Sequence, residues 1–187
     1  MLEPVDFDYA SITELDLSCK QLEVLPDLNM YINLKKLNCC NNKIISLDNL
    51  PSNLKELNCS WNQITSLNNL PITLQILNCR NNYIISLDNL PSSLKILDCS
   101  YNKLISLDNL PHSLLELDCS YNKLISLDNL PHSLLELLYC GQNSLISLDN
   151  LPSSLLEFDC YYNSFIYNFN PTLENIQAYN SSRIVVN

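Results

Sequence analysis

The chain has 187 residues, 47% of them hydrophobic, too apolar for a disordered tail and long enough for one folded unit. Its formal charge of −10, from 20 acidic against 10 basic residues, repels phosphate backbones and anionic lipid surfaces, so neither nucleic acid nor a membrane is an expected ligand. No apolar run approaches the ~20 residues that a bilayer span needs, and the opening MLEPVDFDYA is acidic where a secretion signal is basic and then apolar; a soluble, intracellular protein is expected.

The first element is LDLSCKQLEVLPDL, in which Leu15 and Leu17 alternate with polar residues as in a half-buried strand. Lys20 stands where every later copy has asparagine. Residues 1–34 are therefore read as an N-terminal cap with a degenerate repeat. The pattern L-x-C-x-x-N then starts at Leu37, Leu57, Leu77, Leu97, Leu117 and Leu138, and once more, in altered form, at Phe158. The period is 20 with one step of 21, and CSYNKLISLDNLPHSLLEL is spelled twice, from Cys99 and from Cys119. Self-similarity at such a period marks a solenoid.

Within one copy, Leu57 and Cys59 alternate with Glu56 and Asn58, a period of two that buries one face of a strand and wets the other. Strands repeated in one direction at this spacing pair in parallel, and the return between them is too short for a full helix. Pro51, Pro71, Pro91, Pro111, Pro131 and Pro152 suit an extended return, since each fixes its backbone and donates no hydrogen bond. One unit alone buries too little to offset the entropy of ordering it, so the units must stack.

The 21-residue step predicts a bulge around Leu137 and Leu138, because a one-residue slip would turn a buried face outward. Gly141, the one glycine in the chain, fits a local bend there. Beyond the regular repeats of residues 35–170, the segment LENIQAYNSSRIVV predicts a C-terminal cap over 171–187. It is read as a terminal strand with Leu173, Ile176 and Ala178 inward. The expected whole is a single domain, 1–187: a right-handed, slightly curved solenoid of eight or nine repeats, with a parallel sheet on the concave side and a polyproline-like, non-helical convex side.

The pattern L-x-x-L-x-[LC]-x-x-N-x-[LI] resembles the leucine-rich repeat over roughly residues 12–180. The unit LPSNLKELNCSWNQI is similar to the short repeats of bacterial effector proteins. The phrase S-L-D-N-L-P and the ending NPTLENIQAYNSS resemble leucine-rich-repeat proteins of mimivirus-type giant viruses. That resemblance implies a viral product acting in the cytoplasm of an infected host cell.

Several columns invite a chemical reading. The cysteines at 39, 59, 79, 99, 119, 140 and 160 fall on the inward strand position, where core packing is the first reading and redox or metal chemistry the alternatives. Cys19 and Cys40 lie outside that column and are expected to be more exposed. The asparagines at 42, 62, 82, 102, 122, 143 and 163 read as a buried amide ladder that satisfies the backbone where each strand ends. His112 and His132, one repeat apart, read as a copied surface residue, with a metal or pH role as the alternative. A single glycine leaves no phosphate-cradling loop and no G-x-G-x-x-G turn, and the acids recur as copies on a regular face, so no catalytic residues and no cofactor are expected.

What remains is the wet face of the sheet and its edge. One outward column runs through Asn58, Asn78, Asp98, Asp118, Tyr139 and Asp159, turning acidic towards the C-terminus. Residues 1–96 carry a net −3 and residues 97–187 a net −7. A second column contains Ile76, Ile96 and Glu116, and a third contains Trp61, Tyr101, Tyr121 and Tyr162, aromatic types that dominate interface energetics. These thirteen residues form the candidate binding surface of a non-catalytic protein-interaction module whose partner carries a basic, partly apolar patch. The alternative is a structural or self-assembling protein, either a homo-oligomer or virion-associated, with its wet face or sheet ends meeting copies of itself.

Overall fold

The computed structural model describes residues 8–131, 136–149 and 151–184. Eight short strands lie in chain order in one sheet: β1 Glu14–Asp16, β2 Lys36–Asn38, β3 Glu56–Asn58, β4 Ile76–Asn78, β5 Ile96–Asp98, β6 Glu116–Asp118, β7 Leu137–Tyr139 and β8 Glu157–Asp159. Every neighbouring pair is parallel and in register, so Leu37, Leu57, Leu77, Leu97, Leu117 and Leu138 form one inward row. Extended segments and turns connect them, with no helix between strands among the described residues.

The sheet's inner face and the return segments enclose a single apolar column. The leucines at 54, 74, 94 and 114, the inward strand leucines from Leu37 to Leu138, and Ile44, Ile64 and Ile84 with their later equivalents Leu104, Leu124 and Leu145 are all buried. All seven column cysteines are buried as well. Burial pushes their thiols up, Cys39 to about 12. Rather than pairing with one another, the thiols of Cys59, Cys79 and Cys99 each donate to the carbonyl of the next strand, Asn78, Asp98 and Asp118, at 3.3–3.4 Å. Core packing is therefore the reading that the geometry supports. Cys19 is exposed and Cys40 half-buried.

The asparagine column is the joint between turns. Asn62 Nδ2 donates to Cys59 O and Ser60 O of its own turn and to Cys39 O of the preceding one, at 3.0–3.2 Å. Its Oδ1 accepts from Ile44 N–H at 2.9 Å. The same set recurs at Asn82 and Asn102. One side chain thus satisfies donors and acceptors on two turns, and only an amide carries both functions on adjacent atoms.

Two expectations at the C-terminal end need correcting. No bulge lies at Leu137 and Leu138, which pair directly with Glu116 and Leu117. Glu136 and Leu137 donate to Leu115 O as Leu115 and Glu116 donate to Lys95 O. The extra residue therefore falls upstream, between Pro131 and Glu136, outside the described residues, as does His132. Gly141 has no positive φ and stands where other turns carry Cys40, Ser60, Arg80, Ser100, Ser120 and Tyr161, so no left-handed backbone calls for glycine there.

The second correction concerns the final cap. It is an α-helix, α1 Leu173–Ile184, not a strand. Leu-x-x-Ile spacing fits both a repeat and a helix stripe, and local signals decide between them. Pro171 precedes the helix, Thr172 Oγ1 accepts from Asn175 N–H at 3.3 Å, and Glu174 sits in the first turn, all features that favour a helix start. Ile176 is fully buried against the last repeat while Ala178 is exposed. Tyr167, Phe169 and Tyr179 close the end with ring centroids 4.9–5.5 Å apart, and a helix laid there covers the core without offering another strand edge.

Two outcomes are expected. Asn102→Ala abandons buried carbonyls on two turns and is expected to cost about 1–3 kcal/mol in chemical denaturation; an unchanged midpoint would contradict the joint. Titration of native protein with a thiol reagent at neutral pH should show at most two rapidly reacting cysteines, Cys19 and Cys40, with the other seven appearing only on unfolding.

Candidate functional site

The outward residues fall into three columns with different physical status. The first residue of each strand is exposed or half-buried. In this row Lys36 Nζ lies 3.2 Å from Glu56 and 3.8 Å from Glu14, an exposed network of little energetic weight. Ile76 and Ile96 are direct cross-strand partners, half-buried rather than exposed, and Glu116 is exposed beside them. The isoleucines form a small apolar step between a charged N-terminal stretch and an acidic C-terminal one.

The third strand residue does a job that its sequence did not reveal. Asn58, Asn78, Asp98, Asp118 and Asp159 each accept, through Oδ1, from the backbone N–H two residues on, at 2.9–3.1 Å. This local turn, which Asn and Asp make alike, is what restricts the column to those two types. Their charge is therefore the free choice. The exception is Tyr139, whose hydroxyl donates to Glu157. Asp118 is half-buried. Burial raises its carboxyl above the ordinary carboxylate value of 3.8, and neighbouring Asp98 adds to the rise, against hydrogen bonds from Ser120. A concavity of about 270 Å³ opens here, lined by Asp118, Tyr139, Asp159, Tyr121 and Arg80 among others.

The third column occupies the left-handed turn just before the ladder asparagine. Asn41, Trp61, Asn81, Tyr101, Tyr121, Gln142 and Tyr162 all have φ between 53° and 58°. For an L-residue with a bulky side chain this conformation costs roughly 1–2 kcal/mol. The chain makes a second left-handed turn on the return side, and there it uses Asn49, Asn69, Asn89 and Asn109, the type that tolerates it best. Tyr101 and Tyr121 stack at 3.9 Å with planes 13° apart, and the Arg80 guanidinium lies 4.5 Å from the Tyr101 centroid. Trp61 stands two turns away and is 55% exposed, and Tyr162, 78% exposed, ends the row. The structure thus brings Asp98, Asp118, Tyr101, Tyr121, Tyr139 and Asp159 into one surface, with Asn58, Asn78, Ile76 and Trp61 at its N-terminal side.

No protein-family model and no curated protein matches the chain. Solved structures do. The leucine-rich effector YopM of Yersinia pestis superposes with a TM-score of 0.72 at 34% identity, over 88% of this chain and 46% of that one. The fold is a leucine-rich-repeat solenoid. The functional domain of InlJ from Listeria monocytogenes, which includes a cysteine ladder, gives a TM-score of 0.64 at 30% identity, covering 86% of this chain and 42% of that one. A Shigella effector leucine-rich-repeat domain gives 0.57 at 27% identity, covering 94% and 76%. The chain spans less than half the length of YopM and InlJ. The leucine-rich-repeat architecture accounts for the leucine, cysteine and asparagine columns, and leaves the aromatic and acidic ones unexplained.

The raised Asp118 carboxyl has a definite pH consequence. Its proton is held more tightly in the folded state than in the unfolded one, so the folded chain binds more protons between the ordinary value of 3.8 and the raised one. Stability therefore falls as pH rises through that window. Asp118→Asn keeps the acceptor for Ser120 N–H and removes the penalty. It should raise the melting temperature at pH 7 and lose that advantage as pH falls to 3.8; an advantage that persists in acid would show that desolvation of the charge is not its cause.

Proposed function

We propose that this chain is a non-catalytic protein-interaction module whose sheet face and aromatic edge receive a segment of a partner protein carrying a basic, partly apolar patch. The observation that supports this most is the placing of Trp61, Tyr101, Tyr121 and Tyr162 in left-handed turns that asparagine fills elsewhere in the same chain. Backbone strain of this kind gathers at functional positions, and aromatic side chains supply large contact area at low entropic cost. The free choice of aspartate over asparagine at 98, 118 and 159 adds negative potential beside them, which favours a basic partner and speeds its encounter. A partner cation would meet Asp118 and Asp159 with the Tyr139 ring between them.

Leucine-rich-repeat neighbours with bacterial effector names fit a module of this class. Origin in a giant virus and action in the host cytoplasm rest only on the S-L-D-N-L-P phrasing and the ending NPTLENIQAYNSS, since the neighbours named above are bacterial.

Panning a displayed library of random peptides on the native protein tests the reading. Selected peptides are expected to be rich in arginine or lysine beside apolar residues, and to bind more weakly as salt rises. The variant Trp61→Asn, Tyr101→Asn, Tyr121→Asn should lose that binding while gaining up to about 1 kcal/mol of stability per site from relieved turns, less any stacking lost. Peptides without a basic bias, or binding that survives in the triple variant, would overturn the proposal.

A further inference from the structure

A second outward feature lies past the asparagine joint, on the edge where the chain leaves for the return side. Ile45, Ile85, Ile105, Ile125, Ile146 and Ile166 are 54–75% exposed. They occupy equivalent positions in successive turns, with Thr65 in the remaining one. Their neighbours tie the turns together: Lys103 N–H donates to Ile84 O, Lys123 N–H to Leu104 O and Ile166 N–H to Ile146 O, at 2.8–3.2 Å. At ~4.8 Å per turn the row is an aliphatic strip about 29 Å long. Glu23, at the equivalent place one turn before Ile45, ends it at the N-terminal side. Thr65 shows that the turn itself does not require an aliphatic side chain. A strip of this kind on a chain of charge −10 is an interaction surface rather than scattered exposure.

The strip is flanked by two columns of opposite sign. Two residues before three of the six isoleucines stand Lys43, Lys103 and Lys123, with only neutral residues elsewhere in that column from 43 to 164. Three residues after stand Asp48, Asp88, Asp108 and Asp128, a column with no base. Lys103 rests 4.4 Å from the Tyr83 centroid, and Asp88 and Asp108 accept from Asn109 and Asn129 of the next turn; these contacts leave each charge in place.

We infer that this edge is a self-association surface, and that two copies meet along it in parallel about a two-fold axis running with the strip. The charges select that symmetry. Rotation about an axis along the strip exchanges its two flanks, so the lysine column of each copy faces the aspartate column of the other. A two-fold axis across the strip would set lysine against lysine and aspartate against aspartate. A second copy is also the partner that shares the repeat spacing, so all six isoleucines engage at once and the contact is isologous. A strip one side chain wide makes a small, reversible interface. The isoleucines themselves lie outside the aromatic and acidic columns, with the lysine flank bordering the aromatic one where Lys103 lines a concavity with Tyr101 and Tyr121; the inference does not rest on the proposed peptide-binding function.

Sedimentation equilibrium of the full chain, from micromolar to near-millimolar, tests it. The mass should climb from 21.4 kDa towards twice that value. Ile105→Asp with Ile125→Asp, at positions where Thr65 shows a polar residue is tolerated, should weaken the dimer by roughly a hundredfold or more with an unchanged circular dichroism spectrum and peptide binding retained. Lys103→Glu with Lys123→Glu should weaken it by roughly tenfold, and adding Asp108→Lys and Asp128→Lys to that variant should restore it. A monomer at every concentration, a dimer indifferent to the isoleucine changes, or a charge exchange that fails to restore association would overturn the inference.

Discussion

The structure depends on one joint: an asparagine amide that serves two turns at once. Each ladder asparagine donates to carbonyls of its own and the preceding turn and accepts an N–H from the preceding turn. With strands of only three residues, the ladder bonds and the inward leucine of each turn are complete only when a neighbour is present. A single turn would expose its leucine and cysteine on both sides and leave buried backbone groups unpaired. Folding is therefore a property of the stack, and α1 with its aromatic cluster is the device that ends it at the C-terminal side.

This constraint divides the side chains by how much freedom they retain. Leucine, cysteine and ladder asparagine positions are dictated by burial or by paired donor and acceptor. The third strand residue is half-dictated, since a carboxylate or an amide oxygen both close the local turn and only charge distinguishes them. The left-handed position before the joint is dictated in backbone alone. A chain that places tyrosine and tryptophan there accepts local strain in exchange for a rigid aromatic edge, and a chain that places aspartate at 118 accepts desolvation of a charge. Both choices lower stability at the surface that carries recognition, the usual relation between function and a tolerant scaffold.

Two surfaces result, on opposite sides of the asparagine joint. The sheet side is acidic and aromatic and changes from turn to turn. The return-side edge is aliphatic and nearly uniform from Ile45 to Ile166. Variation along the stack suits a surface that reads a distinct partner, because each turn presents different chemistry. Uniformity suits a surface that meets an object with the same period, because every contact then falls in phase. One solenoid carries both because the columns occupy different positions of each repeat.

Periodicity in the amino-acid sequence determined the parallel stack, the inward leucine and cysteine rows and the role of asparagine, because those features depend on residue spacing and burial alone. It also located Asp118 on the wet side, since alternation within a strand has a period of two; Tyr101 and Tyr121 lie past the strand ends, where the left-handed turn rather than the alternation turns them outward. Other features were set by three-dimensional contacts. The repeat-like LENIQA became a helix because Thr172 and Pro171 start one and the last core face needed a lid. The extra residue went upstream of β7 because ladder pairing leaves no room for a slip inside a three-residue strand. In K-L-I-S-L the adjacent Leu104 and Ile105 are equally apolar as letters; the path of the coil buried the first and exposed the second. Which apolar neighbour faces water depends on backbone direction, and that direction exists only once the turns have stacked.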